Sequence, residues 1–284
     1  MSDIVLVTCN RWPAISASDA ELARELSARG HNVRGLPWNG APIGAFTSAD
    51  LVVLRSNWDF HHDPSGFERW LDEIDRSDVE LRNPAELVRP MLDKRYLNGL
   101  AAAGFRTPIT LITENFDLAD VISWTDDHAL HQLVIKPLWG ASGHGVELAS
   151  REDLPALADR WRQDPERRPL LIQEFVPEVR NGEHALVFFK GEFSHALLRA
   201  ASDDFRVNSQ YGGVTSAVTA VDPSIVEFGR KVEAALPEIA TYARIDVVSN
   251  GTDHVLMEVE INEPGLGLDL APGSAARFAA ALLD

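Results

Sequence analysis

Residues 133–146 read Leu-Val-Ile-Lys-Pro-Leu-Trp-Gly-Ala-Ser-Gly-His-Gly-Val. Leu133 to Ile135 is a short apolar run of the kind that forms a buried strand. Lys136 follows, and Pro137 keeps the run from continuing as a central strand. Gly140, Gly143 and Gly145, with Ser142 among them, then make a loop that can reach backbone angles closed to other residues and turn its N–H groups toward an anion. A lysine at the strand end beside such a loop suits a polyphosphate, because ammonium–phosphate hydrogen bonds are charge-assisted. The spacing is not that of a Walker loop, where the lysine follows the glycines, nor that of a dinucleotide fingerprint. Taken alone, the stretch also reads as a glycine-rich hairpin with a solvent-facing lysine.

Working outward, 284 residues suffice for two or three lobes, at roughly 100–150 residues per domain. A hydrophobic fraction of 45% with 24% charged residues is that of a soluble globular protein. No apolar stretch approaches the ~18 residues of a membrane span, and the start of the chain lacks the layout of a signal peptide. The single cysteine, Cys9, excludes an internal disulfide, points to a reducing compartment and reads as a buried strand-end residue. A net charge of −17 without a basic block argues against nucleic-acid and anionic-membrane partners. A cytoplasmic location is expected.

Strands are predicted at Ile4–Val7 and Leu51–Leu54, with a helix between them capped by Ser18 or Asp19 and stopped at Gly30. A helix over Phe67–Ile74 and a strand at Val79–Leu81 complete an α/β unit with a parallel sheet. Ligands on such sheets lie beyond the carboxyl ends of strands, so Thr8–Arg11 and Arg55–His62 share one rim. His61 and His62 are adjacent with no third ligand nearby in sequence, a poor metal shell, and read as loop residues; Trp58 reads as packing. Glu86–Ala103 is predicted as one helix carrying Lys94. Further strands are placed at Ile109–Ile112 and Leu170–Phe175, helices at Phe116–Ser123 and Asp153–Trp161, and a polar turn at 165–169. Ala185–Phe189 and Phe193–Leu198 make a hairpin signal. Arg206–Gly213 is a polar loop, Pro223–Ala235 a helix, Ile245–Val248 and Val255–Ile261 strands joined at Asn250-Gly251, and Ala275–Leu283 a final helix.

Glu258, Glu260 and Asn262 alternate, so on a strand they share one face. Oxygen-bearing side chains in a row on an otherwise apolar strand are costly to bury unless they hold a cation, and a hard, all-oxygen set suits magnesium. Asp246, on the neighbouring strand, can join them. The alternative is a solvent-facing polar edge.

Several motifs now stand in one order: Met91-Leu-Asp-Lys-Arg95, the Lys136 strand with its glycine loop, Ile172-Gln-Glu-Phe-Val-Pro177, Gly182-Glu183, Leu198-Arg199, Tyr211-Gly-Gly213, Arg244-Ile-Asp246 and Glu258 to Pro264. In this order residues 90–284 resemble the ATP-grasp carboxylate–amine ligases of the glutathione-synthetase-like branch. The resemblance implies an α/β ATP-grasp fold with an N-terminal α/β substrate lobe (1–90), a central lobe (91–178) and a C-terminal lobe (179–284) with the metal strand. It implies ATP and Mg2+ as cofactors and an amino-acid-like small molecule as substrate. Lys94 and Lys136 are then expected on the ATP phosphates, Gly140, Ser142, Gly143 and Gly145 in the covering loop, and Gln173, Glu174, Phe175 and Val176 at the adenine. Glu183 is expected on the ribose and Arg199, with Lys136, on the transferred phosphoryl group. Arg55, Asn208, Gly212 and Gly213 are expected at the substrate. Asp246 with Glu258 and Glu260, or with Glu260 and Asn262, is expected to carry the metal, because the chain offers both registers. Where relatives place a substrate-gripping arginine after the ribose acid, this chain has His184 and Ala185. The N-terminal third, with Pro37-Trp38 and Arg55-Ser-Asn-Trp-Asp59, resembles the subgroup that contains O-ureido-serine cyclo-ligase. A ligase acting through an acyl phosphate, a small-molecule kinase and a nucleotide-binding module without chemistry are the readings left open.

Overall fold

In the computed structural model, residues 1–163, 169–202 and 204–284 are described. Three sheets divide the chain. The first is built from β1 (Asp3–Thr8), β2 (Asn32–Pro37), β3 (Leu51–Leu54) and β4 (Glu80–Arg82), with α1 (Ala17–Ala28), α2 (Gly44–Thr47) and α3 (Pro64–Asp75) in the connections. Its order is β2-β1-β3-β4 and all its pairs are parallel. This is the expected βαβ pattern, with β1 and β3 buried along nearly their whole length.

Two helices follow, α4 (Ala85–Leu92) and α5 (Tyr96–Ala102), where one was expected. The break comes at Asp93, whose extended backbone (φ −100°, ψ 120°) ends α4. Lys94 therefore leaves the helical path, and its N–H donates to the Leu138 carbonyl at 3.2 Å. Leu87, Leu97 and Leu100 of these helices belong to the core of the C-terminal sheet, although a boundary at 91 would give most of them to the central lobe.

The central sheet contains β5 (Thr110–Thr113), β6 (Gln132–Pro137), β7 (Glu147–Ser150) and β8 (Leu170–Glu174), in the antiparallel order β5-β8-β6-β7, with α6 (Leu118–Asp127) and α7 (Leu154–Gln163) packed on it. The polar turn expected at 165–169 lies, except for Pro169, outside the described residues. The C-terminal sheet has β9 (Glu183–Phe189), β10 (Glu192–Ala200), β11 (Val214–Val218), β12 (Tyr242–Ser249) and β13 (His254–Glu260), ordered β11-β10-β9-β12-β13 and antiparallel, with α8 (Pro223–Ala234) and α9 (Ser274–Leu283). The β9–β10 hairpin stands where its apolar runs predicted it. Among the described residues no helix is long and apolar enough to cross a membrane.

The outer lobes share a core. Ile4, Leu6, Leu22, Leu26, Leu51 and Val53 pack with Phe189, Tyr242, Leu266 and Phe278. Beside that core, Arg55 is only 1% exposed. Its Nε meets Asp19 Oδ1 at 2.8 Å and its Nη2 donates to the Pro264 carbonyl at 2.8 Å. The expectation that Arg55 reads a substrate carboxylate is thereby corrected: its guanidinium joins the N-terminal lobe to the C-terminal segment. Asp19 is the other correction. Ser16, not Ser18 or Asp19, caps α1, leaving the Asp19 carboxylate for Arg55 and Ser56.

Removing one partner of a buried ion pair leaves the other charge uncompensated, at a cost of about 3–5 kcal/mol. Arg55→Met is therefore expected to lower the unfolding free energy from urea titration by an amount in that range, and Arg55→Lys to melt early with unchanged substrate affinity in the folded fraction. A raised substrate constant at unchanged stability would restore Arg55 to the binding site.

Candidate active site

The cleft lies between the central and C-terminal sheets and is lined from both. Register builds its charged floor. Across β12 and β13, Arg244 stands opposite Glu260 and Asp246 opposite Glu258; across β9 and β10, Arg199 stands opposite Glu183. Because side chains alternate, all six face the same side of the sheet. Arg199 Nη1 is 2.8 Å from both Glu183 Oε1 and Asp246 Oδ2. Arg244 grips Asp246 through Nε and Nη2, each at 2.8 Å, and places Nη2 2.5 Å from Glu260. The register shifts between Asp246 and Val247, which leaves Met257 as an extra residue; it lines the cleft.

The other cations come from outside this sheet. Lys94, freed by the break after α4, places Nζ 2.8 Å from Glu258 Oε1 and donates to the Gly140 carbonyl at 2.8 Å. Burial would pull its ammonium down, but Glu258 outweighs this and leaves it raised. At Lys136 burial prevails over the attraction of Glu258 and pushes the ammonium down to about 8. Glu258 shows the reverse balance: burial opposes its charge, yet Lys94 and Lys136 hold it well below the usual carboxylate range. Burial and neighbouring carboxylates lift Glu183, Glu260 and Glu263 above that range.

Of the residues expected at the nucleotide, Lys94, Lys136, Gly140, Ser142, Gly143, Gln173, Glu174, Phe175, Val176 and Glu183 line the cleft, as do Arg199 and Asn208. Gly145 turns the loop but faces a neighbouring cavity with His62 and Trp161. Glu183, assigned to the ribose by resemblance, has its carboxylate on Arg199. Gly212 and Gly213 do not line the cleft. A Cβ at Gly213 would lie 2.2 Å from the Val207 carbonyl oxygen, so this glycine serves the close turn of its own loop. Gly143 has φ +72°, and a Cβ there would lie 2.7 Å from Asn208 Oδ1; the covering loop rests directly on the 204–213 loop.

Asp246, Glu258 and Glu260 each offer an oxygen within 4.8 Å of the others, a spacing and donor set that fit one hard divalent cation. Asn262 lines the cleft beside these acids, and its Oδ1 accepts from Asn57 Nδ2 at 3.0 Å. Three charged residues of the cleft and its floor were given no role from the sequence. Arg244 was legible as the residue two before Asp246 on the same strand face. Arg206, over the Tyr211 ring at 3.3 Å, and Glu263, beyond the strand, gave no periodic signal.

An ATP-grasp pocket with this floor is matched by the sequence comparisons. A family model described as the ATP-grasp domain of prokaryotic glutathione synthetase covers residues 99–269, and one described as the N-terminal domain of D-cycloserine synthetase DcsG covers residues 4–83. The chain belongs to the ATP-grasp ligases of glutathione-synthetase type and is an ATP-dependent ligase, in a family that uses ATP and Mg2+. It is similar to the cycloserine biosynthesis protein DcsG of Streptomyces lavendulae, 30% identical over 255 residues that make up 83% of each chain. It is also similar to the glutathione synthetase of Bradyrhizobium diazoefficiens, 30% identical over 224 residues, 78% of this chain and 67% of that one. The crystal structure of D-cycloserine synthetase DcsG matches with a TM-score of 0.86 at 25% identity, covering 99% of this chain and 98% of the other.

Lys136 is a cation below about 8 and neutral above it, so any hold it has on phosphate is lost as pH rises. ATP affinity by calorimetry is expected to fall by about fivefold between pH 8 and 9, since only the protonated form attracts the anion. Lys136→Arg, cationic throughout, removes that dependence. A wild-type affinity that is flat across this range would take Lys136 away from the phosphates.

Proposed function

We propose that the chain is an ADP-forming carboxylate–nitrogen ligase that closes a ring within an amino-acid derivative. The observation that carries this reading is the reach of the likeness to DcsG: it runs through the N-terminal lobe as well as the ATP-binding lobes. The N-terminal rim is where a substrate of this architecture is held.

A carboxylate has no leaving group. Attack of one of its oxygens on the γ-phosphorus of ATP releases ADP and gives an acyl phosphate; attack of nitrogen on the carbonyl carbon then expels phosphate. Such a reaction asks the protein mainly for positioning and charge stabilisation. In this reading Lys94 and Lys136, which line the cleft, take the phosphates, and Arg199 meets charge on the transferred group. Asp246, Glu258 and Glu260 would hold magnesium, which supplies neutralisation of phosphate oxygens when bound. Gln173 to Val176 form the hinge wall for adenine, and the glycine loop covers the site and excludes water.

The likeness to a glutathione synthetase favours a second reading, in which the nitrogen belongs to a separate amine. ADP release with O-ureido-serine separates the two. Ring closure requires turnover without any added amine; strict dependence on a second amine would overturn it, and ADP release without formation of a carbon–nitrogen bond would make the enzyme a kinase. In either ligase reading Glu260→Gln is expected to cut activity at limiting magnesium at least about tenfold, because even indirect supports of a metal have effects of that size. Wild-type magnesium dependence in this variant would remove the acidic strand from catalysis.

A further inference from the structure

Glu263 is 8% exposed, lines the cleft, and has no hydrogen bond or ion pair to its carboxylate among the described residues. The cations nearby are committed elsewhere: Lys94 to Glu258, Arg244 to Asp246 and Glu260, Arg199 to Glu183 and Asp246. Burial, with Glu260 and Glu258 nearby, disfavours the charged form of this carboxyl, and a cationic ligand beside it would restore that form. Glu263 stands outside the set of oxygens at Asp246, Glu258 and Glu260 that lie within 4.8 Å of one another.

Its position says what kind of cation is missing. The Glu263 carbonyl accepts from Trp58 Nε1 at 3.1 Å, and the preceding Asn262 pairs with Asn57. Both partners sit just past the carboxyl end of β3, the crevice where parallel sheets receive ligands. On this seam Asn57 Oδ1 is also buried without a donor. An ammonium brings three N–H donors. We propose that Glu263 binds the α-ammonium group of an amino-acid substrate at the seam between the nucleotide cleft and the N-terminal lobe, an inference that rests on the ligase reading above.

The test is ADP release with matched pairs of carboxylic acids, each an α-amino acid and its des-amino counterpart, with O-ureido-serine and 3-(ureidooxy)propanoate as the first pair. The wild type is expected to prefer the amine-bearing member by about 10- to 100-fold in kcat/KM, the range of one charge-assisted hydrogen bond. Glu263→Gln is expected to abolish that preference by raising KM for the amino acid, with the ATP constant, magnesium dependence and melting temperature unchanged. Glu263→Asp, which keeps the charge, is expected to retain part of the preference. Equal use of both members by the wild type, no ADP release from any pair, or a variant whose magnesium dependence shifts as far as its substrate KM would overturn the role. A preference for amino acids that persists only with an added amine refutes ring closure and leaves Glu263 in place; ring closure without a preference refutes Glu263 alone.

Discussion

The pairing of Arg244 with Glu260 and of Asp246 with Glu258 across β12 and β13 sets everything that the cleft can do. Side-chain period in a strand is two, so a slip of one residue would send these charges to the opposite face, into the apolar core formed by Ile245, Val247, Leu256 and Val259. The apolar residues on the other face thus fix the position of the acids. The same logic places Arg199 opposite Glu183 on the adjoining hairpin. Asp246 sits where these pairs meet, held by both arginines. Its two oxygens are shared among Arg199, Arg244 and any cation brought by a ligand.

That floor works only if the lobes above it are held in place. Tyr242 begins β12, and its hydroxyl donates to the Leu54 carbonyl at 2.6 Å, at the end of β3. Asn83 side-chain nitrogen donates to the carbonyls of Tyr242 and Ile261, while its oxygen accepts from Thr241 N–H. Together with the Arg55–Asp19 pair, these buried contacts bind the N-terminal lobe to the sheet that carries the acids. Directional bonds of this kind, far from solvent, fix orientation more firmly than the shared apolar core does.

How much of this was legible follows from what each residue interacts with. The glycine loop, the lysine strand and the alternating acids are local patterns, and they stand where the sequence placed them. Arg55 was misread because nothing around it announces that Asp19, on another element, owns its charge. The break at Asp93 carries no glycine, and the proline nearby, Pro90, lies inside α4, so one helix was the natural reading. Strand β11 was missed because an exposed edge has no apolar alternation; its first four residues are all exposed. Met257 reached the cleft through a bulge, which shifts facing by one residue and has no composition signal of its own. Glu263 lies past the strand end, where periodicity stops being informative.

The glycine loop is the element through which the three lobes act together. Trp139 and Ala141 pack against the core of the N-terminal lobe, the Gly140 carbonyl takes a hydrogen bond from Lys94, and Gly143 rests on Asn208 of the C-terminal lobe. At its far end Arg206 donates to the Val146 carbonyl at 3.3 Å. A loop touching all three lobes takes its position from all of them. In the proposed reaction this matters most after phosphoryl transfer, because an acyl phosphate is as open to water as to nitrogen. Glycine backbone can lie close over phosphate, and the bulky Trp139 anchors that backbone to the N-terminal lobe. In the proposed reaction, exclusion of water would thereby depend on how the three lobes sit around the substrate.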